Sequence, residues 1–154
     1  IVRPSALYGP RCISRRVLQV FIENAITGND LVIQGDGDES LDFTYIEDLL
    51  NGLKLLTLNE RAYGKVFNIT RGEARSLMDA AKIVKKEFQN VNIRNVERDI
   101  LNPERGALDI SAARRILGYE PQYSLERGLS DYISWYKENW NLQFTEGAVS
   151  EKNE

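Results

Sequence analysis

Apolar and polar positions follow two rhythms along this chain, short extended runs and wide helical stripes, and the two take turns from one end to the other. Ile1-Val2-Arg3-Pro4-Ser5-Ala6-Leu7 reads as a strand that stops at Tyr8-Gly9-Pro10, and no turn or cap precedes it, so the chain is expected to begin inside a structural element. From about Ser14, Val17, Phe21 and Ala25 interleave with Leu18 and Ile22 in a broad helical stripe closed by Gly28. Leu31 to Ile33 is strand-like, and Phe43-Thr44-Tyr45-Ile46 is a second β-branched and aromatic run. Glu47 and Asp48 supply a negative first turn for a helix carrying Leu49, Leu50, Leu53 and Leu56. Val66 to Ile69 reads as a short strand, Ser76-Leu77-Met78-Asp79 as a capping box opening a helix, and Val91 to Val96 as a further strand. Ser111 opens a short helix ending at Gly118, with Pro121 beyond it as a stop. Ser124 caps a last helix in which Leu125, Leu129, Ile133 and Tyr136 repeat at helical spacing. The residues after Gln143 are polar and predicted to be disordered, which divides the chain into a folded part, 1–142, and a tail, 143–154. Alternating helices and strands predict an α/β fold.

Composition narrows the function. A chain of 154 residues suffices for one domain with a real core, and 42% hydrophobic with 28% charged residues is the make-up of a globular protein. No apolar run approaches the roughly 18 residues that span a bilayer, so no membrane partner is expected. The single cysteine, Cys12, cannot form an internal disulfide and suits a reducing cytoplasm. A net charge of −3 argues against a nucleic-acid partner, which needs a basic face. The absence of histidine removes His-based triads, His metal sites and imidazole acid–base chemistry, and no metal site is expected.

One stretch imitates a phosphate loop. In "LVIQGDGDESLDFTYI", residues 31 to 46, an extended run leads into Gly35-Asp36-Gly37 as in a dinucleotide fingerprint. The third glycine of that fingerprint is Ser40 here, the following run is strand-like, and Asp36, Asp38 and Glu39 would repel a pyrophosphate. An EF-hand is excluded too, because Leu41 stands where its turn needs glycine. The stretch reads as a turn between two strands.

Four pieces in order, "VRPSALYGPR", "IENAITGNDLVIQGDG", "LDFTYIEDLLNGL" and "GKVFNITRGEARSL", resemble the carboxyl-terminal half of the NAD-dependent nucleotide-sugar epimerases and dehydratases, the extended short-chain dehydrogenase/reductase family. A fifth, "ALDISAARRILGYEPQYSLERGL", resembles that family's closing segment, so the likeness runs from residue 1 to about residue 139. It implies the carboxyl-terminal part of a Rossmann-type fold with a small mixed α/β substrate-binding lobe. It also implies a nucleoside-diphosphate sugar as partner, transient hydride transfer to NAD in the intact protein, and a homodimer formed through helices of the other half. The family's chemistry needs a Tyr-x-x-x-Lys pair and a glycine-rich cofactor loop. None of the seven tyrosines has lysine four residues on, so no catalytic residue is assigned and the chain is expected to be inactive alone.

By the same resemblance, Arg16 and Val17 fall where the family places a polar side chain and a backbone N–H near the phosphates. Arg11 and Arg15 add two guanidiniums at the same helix start. Val32, Ile33 and Gln34 match a strand edge that pairs with the nucleobase. Arg98 and Arg105 lie near a second phosphate arginine, while Pro4 and Ser5 match residues beside the nicotinamide ring. Two positions depart from the pattern. Leu41 replaces an arginine that reaches a phosphate, and Ala6 replaces a substrate-contacting asparagine. A lost charge-assisted contact costs about 1.5–3 kcal/mol, so either Arg15 or Arg16 compensates or the ligand differs. The leading reading is the substrate-binding part of such an enzyme; the alternative is a non-catalytic binding or interaction module that retains the fold. If strands 1–7 and 66–69 belong to a sheet continued elsewhere, Val2, Leu7, Val66, Phe67 and Ile69 should be poorly buried.

Overall fold

The computed structural model describes residues 1–98 and 105–147, with 141–147 described by backbone alone. The elements, in order, are β1 (Val2–Arg3), β2 (Leu7–Tyr8), α1 (Val17–Ile26), β3 (Leu31–Gln34), β4 (Ser40–Leu41) and β5 (Thr44–Tyr45). After them come α2 (Ile46–Thr57), a 3-10 turn (Glu60–Ala62), β6 (Phe67–Asn68), β7 (Arg75–Ser76), α3 (Leu77–Glu87), β8 (Ile93–Val96), α4 (Ser111–Leu117) and α5 (Leu125–Gly147). The fold is α/β, as the alternating rhythms predicted.

The strands pair two by two. β1 runs parallel to β6, β2 to β5 and β3 to β8, while β4 and β7 are antiparallel. The expected single strand over residues 1–7 is therefore broken in two. Pro4 has no N–H to give to a ladder, and Ala6 adopts a left-handed backbone, φ 35°, that turns Leu7 toward a different partner. The turn at Gly35 to Gly37 does separate two strands, yet they do not pair with each other: β3 joins β8 and β4 joins β7. An Asx turn, with the Asp38 N–H donating to Asp36 Oδ1, shapes the bend. The last helix reaches Gly147, past the expected limit of the folded part at residue 142. Residues 148–154 of the expected tail lie outside the described residues.

Two cores lie side by side. The larger collects Leu18, Phe21 and Ile22 of α1, Leu31 and Ile33 of β3, Ala80, Ala81 and Val84 of α3, and Leu129, Tyr132 and Tyr136 of α5. The smaller collects Leu49, Phe67, Ile69, Ala113, Leu117 and Tyr119, and Ile46 packs against both. Phe67 and Ile69 are 1% and 0% exposed, contrary to the expectation that they would be poorly buried. Gly52 explains this, because a Cβ there would overlap Ile69; its absence lets α2 lie directly on the strand. Val2 and Leu7 are half-buried and Val66 is exposed, so the expectation holds for the rim of this region and fails at its centre.

Buried carboxylates tie the loops to these cores. Asp42 is fully buried and accepts from the N–H of Gly72 at 3.1 Å and of Leu108 at 3.0 Å. Asp48 does the same for the N–H groups of Gln122 and Tyr123, at 2.7 and 3.0 Å. Asp48 is thus less a helix-dipole residue than a clamp on the chain entering α5. Charge-assisted bonds of this kind contribute about 1.5–3 kcal/mol each. Replacing Asp42 with Asn keeps the volume but turns an amide toward donors. Asp42→Asn is expected to lower the unfolding free energy by about 2 kcal/mol, read from urea unfolding curves with an unchanged m-value.

Candidate functional site

Helix α1 begins without a cap. Arg16, its N-cap residue, is extended at ψ 162° and makes no side-chain capping bond, and the first turn holds no acidic residue. The first N–H groups of the helix therefore lack intrahelical partners and point toward whatever lies before them, a suitable place for an anion. What lies there is a cavity of about 310 Å³ lined by Ala6, Tyr8, Arg16, Val17, Leu18, Glu39, Leu41, Phe43, Leu77 and Arg105. Burial raises the Tyr8 pKa above its ordinary value, so this phenol stays protonated.

Two further hollows adjoin it. One, of about 280 Å³, is bounded by Arg15, Val17, Val20, Phe21, Val32, Ile33, Gln34, Glu39 and Leu77. The other, of about 260 Å³, is bounded by Asp36, Asp38, Glu39, Ser40, Arg98 and Arg105. Val17 and Leu77 are common to the first two, Arg105 to the first and third, and Glu39 to all three. The result is one groove with three arms.

The β3 arm has a defined polarity. Leu31 donates its N–H to Asn92 and Gly35 donates to Val96 across the parallel ladder with β8. Backbone groups of a strand alternate sides, so those of Val32 and Gln34 face away from β8, and no other strand pairs with that edge among the described residues. Ile33 turns its side chain into the core and is 1% exposed, whereas Val32 is 37% exposed.

The cations differ in what holds them. Arg15, at φ 43°, donates from Nη2 to Glu23 Oε2 at 3.1 Å. That carboxylate also accepts from Gln19 Nε2 at 2.8 Å and from the Tyr136 hydroxyl at 3.1 Å, linking α1 to α5. Arg15 is thereby neutralised in part. Arg16 and Arg105 are exposed and form no ion pair among the described residues. Arg11 faces a separate hollow with Pro10, Cys12 and Ile13, which it shares with Arg16. Pro4 is exposed and Ser5 half-buried, and neither lines any of these cavities. The two departures from the family pattern, Ala6 and Leu41, both line the cavity at the start of α1.

Residues 1–70 match the model of the NAD dependent epimerase/dehydratase family. UDP-glucuronic acid decarboxylase 2 of Arabidopsis thaliana is 34% identical over 135 residues, covering 84% of this chain and 29% of that protein. An epimerase from the methanogen Methanothermobacter thermautotrophicus superposes with a TM-score of 0.86 at 31% identity, over 92% of this chain and 44% of that one. The chain is similar to the NAD-dependent epimerase/dehydratase family. UDP-glucuronic acid 4-epimerase from Bacillus cereus, solved with UDP-glucuronic acid and NAD, is similar at 28% identity and a TM-score of 0.81, over 89% of this chain and 44% of that one. The chain spans less than half the length of each of these epimerase/dehydratase relatives.

Sequence reasoning missed Glu39 and Leu77 as members of the groove. Their signal is weak, since Glu39 sits in an acidic turn and Leu77 reads as the first core residue of α3. Their position depends on the Leu77 N–H donating to the Glu39 carbonyl at 2.9 Å, a long-range bond no local pattern reveals. Ala6 generates a prediction of its own. A left-handed backbone strains alanine and suits asparagine better. Ala6→Asn is expected to raise stability by about 0.5 kcal/mol, visible as a higher midpoint of thermal unfolding.

Proposed function

We propose that this chain is the nucleotide-sugar-binding portion of an NAD-dependent epimerase or dehydratase, residues 1–142 forming the binding part. The observation that carries the reading is the three-armed groove: the uncapped start of α1, Arg16 and Arg105 border one arm, the outward edge of β3 borders the next, and Val17, Glu39 and Leu77 are common to both. In this account Arg16, the N–H of Val17 and Arg105 hold the diphosphate, with Arg98 beside Arg105 and with Arg11 and Arg15 adding long-range attraction. Val32 and Gln34 offer backbone groups to the base, with Ile33 fixing the strand between them.

NAD is the cofactor of the family, and its chemistry, when bound, is reversible oxidation of a sugar hydroxyl. The described residues do not fit its pyrophosphate. Gly35-Asp36-Gly37 leads into β4 instead of a helix, and its carboxylates oppose a diphosphate. Pro4 and Ser5 are the candidates that the resemblance places beside a nicotinamide, and no step is routed through them. In this reading the described residues bind and orient the ligand.

A second reading, a nucleotide-sugar-binding module without catalysis, draws on Ala6 and Leu41, which leave the main cavity without two polar groups usual in the family.

Calorimetry with UDP at low salt tests the binding claim. Arg16→Ala is expected to weaken binding about tenfold, and added salt to weaken the wild type. Arg15→Ala is expected to do less, because Glu23 already engages that guanidinium. Equal affinity in wild type and Arg16→Ala would remove this helix start from the site. Incubation of the chain with NAD and UDP-sugars is expected to give no product, and turnover would refute the division of labour.

A further inference from the structure

Glu39 is the one side chain that borders all three arms of the groove. It is half-buried, and its carboxylate has no hydrogen bond or ion pair among the described residues, although Arg16, Arg98 and Arg105 line the same cavities. A carboxylate that no protein group engages inside a binding groove has acceptor capacity that water fills when the groove is empty and that a ligand can take over. Its position says which part of the ligand. One arm offers the β3 edge and the next offers Arg16 with the start of α1, and Glu39 lies where the two meet, alongside Val17 and Leu77. In a nucleoside diphosphate the unit between base and phosphates is the ribose. A carboxylate is a poor neighbour for either phosphate, but its two oxygens match a pair of adjacent hydroxyls. Val17 and Leu77, the other residues at the junction, bring apolar side chains and leave the hydroxyls no competing side-chain acceptor there.

We propose that Glu39 is a specificity residue that accepts hydrogen bonds from the ribose 2′- and 3′-hydroxyls, so that the groove selects ribonucleoside over 2′-deoxyribonucleoside diphosphates. This rests on the nucleotide reading given above. The backbone carbonyl of Glu39 is already used by the Leu77 N–H, so changing the side chain leaves the anchor of the loop intact. The selectivity therefore resides in the carboxylate.

The test compares UDP with 2′-deoxy-UDP by calorimetry on wild type, Glu39→Gln and Glu39→Ala, with circular dichroism to confirm the fold of each. Wild type is expected to prefer UDP by about tenfold or more, the worth of a hydrogen bond to a charged group. Glu39→Ala is expected to bind both ligands alike, and Glu39→Gln, which retains one acceptor oxygen, to fall between. If Glu39 merely repelled anions, Glu39→Ala would tighten both ligands and leave their ratio unchanged, which would overturn the assignment while leaving the nucleotide site standing. A wild type that binds both equally would overturn it as well. If UDP does not bind at all, the nucleotide reading fails and this assignment fails with it.

Discussion

The buried carboxylate of Asp42 is the constraint on which the groove depends. It draws the turn before β7 and the segment before α4 onto the same strand end, through the N–H groups of Gly72 and Leu108. On either side of it in sequence, Leu41 and Phe43 form cavity wall, and three residues before Leu108 stands Arg105. One anion thus brings together pieces of chain that are 66 residues apart. Thr44 adds a second stitch, its hydroxyl accepting from the Arg71 N–H at 3.1 Å. Next to this knot, the carbonyls of Gly37 and Glu39 receive the N–H groups of Met78 and Leu77, which sets the acidic turn against the start of α3. A charge in such a place is costly unless fully bonded, and here the loops supply the bonds.

What local pattern can encode was legible. The stripes of α1, α3 and α5 appear where Val17 to Ala25, Ala80 to Val84 and Leu125 to Tyr136 predicted them, and Ser76 caps α3 by accepting from the Asp79 N–H at 3.0 Å. Gly118, at φ 67°, closes α4 as its place before Pro121 suggested. Pairing was not legible. That β3 takes β8 as its neighbour, and not β4 across the adjacent turn, depends on contacts far apart in sequence, and a hairpin-like spacing carries no information about them. The break at Ala6 was hidden for another reason. Alanine signals nothing about a left-handed backbone, whereas the asparagine expected there would have marked the bend.

The candidate site was legible in part. Of the residues that the motif-level likeness singles out, Arg16, Val17 and Arg105 line one hollow and Val32 lines the adjoining one. Arg15 was expected to act as a free phosphate cation, but Glu23, eight residues on, engages it; a helical wheel does not show that pairing because Arg15 precedes the helix. Glu39 entered the reading only as a charge hostile to phosphate. Its value as an acceptor became visible once three cavities were seen to meet at it. The division between binding and chemistry follows from the same facts. In the proposed reading the described residues supply cations, a helix start and a strand edge, all of them groups that hold a ligand still.

The central claim is that one nucleotide occupies the space joining α1, β3 and the Asp42 knot. Backbone amide shifts, followed by two-dimensional NMR as UDP is added, test it most directly. The account predicts saturable shifts concentrated at Val17, Leu18, Val32, Glu39 and Arg105, with Leu50, Tyr63 and the exposed face of α2 unaffected. Shifts confined to that distant face, or none at these positions at saturating UDP, would contradict it.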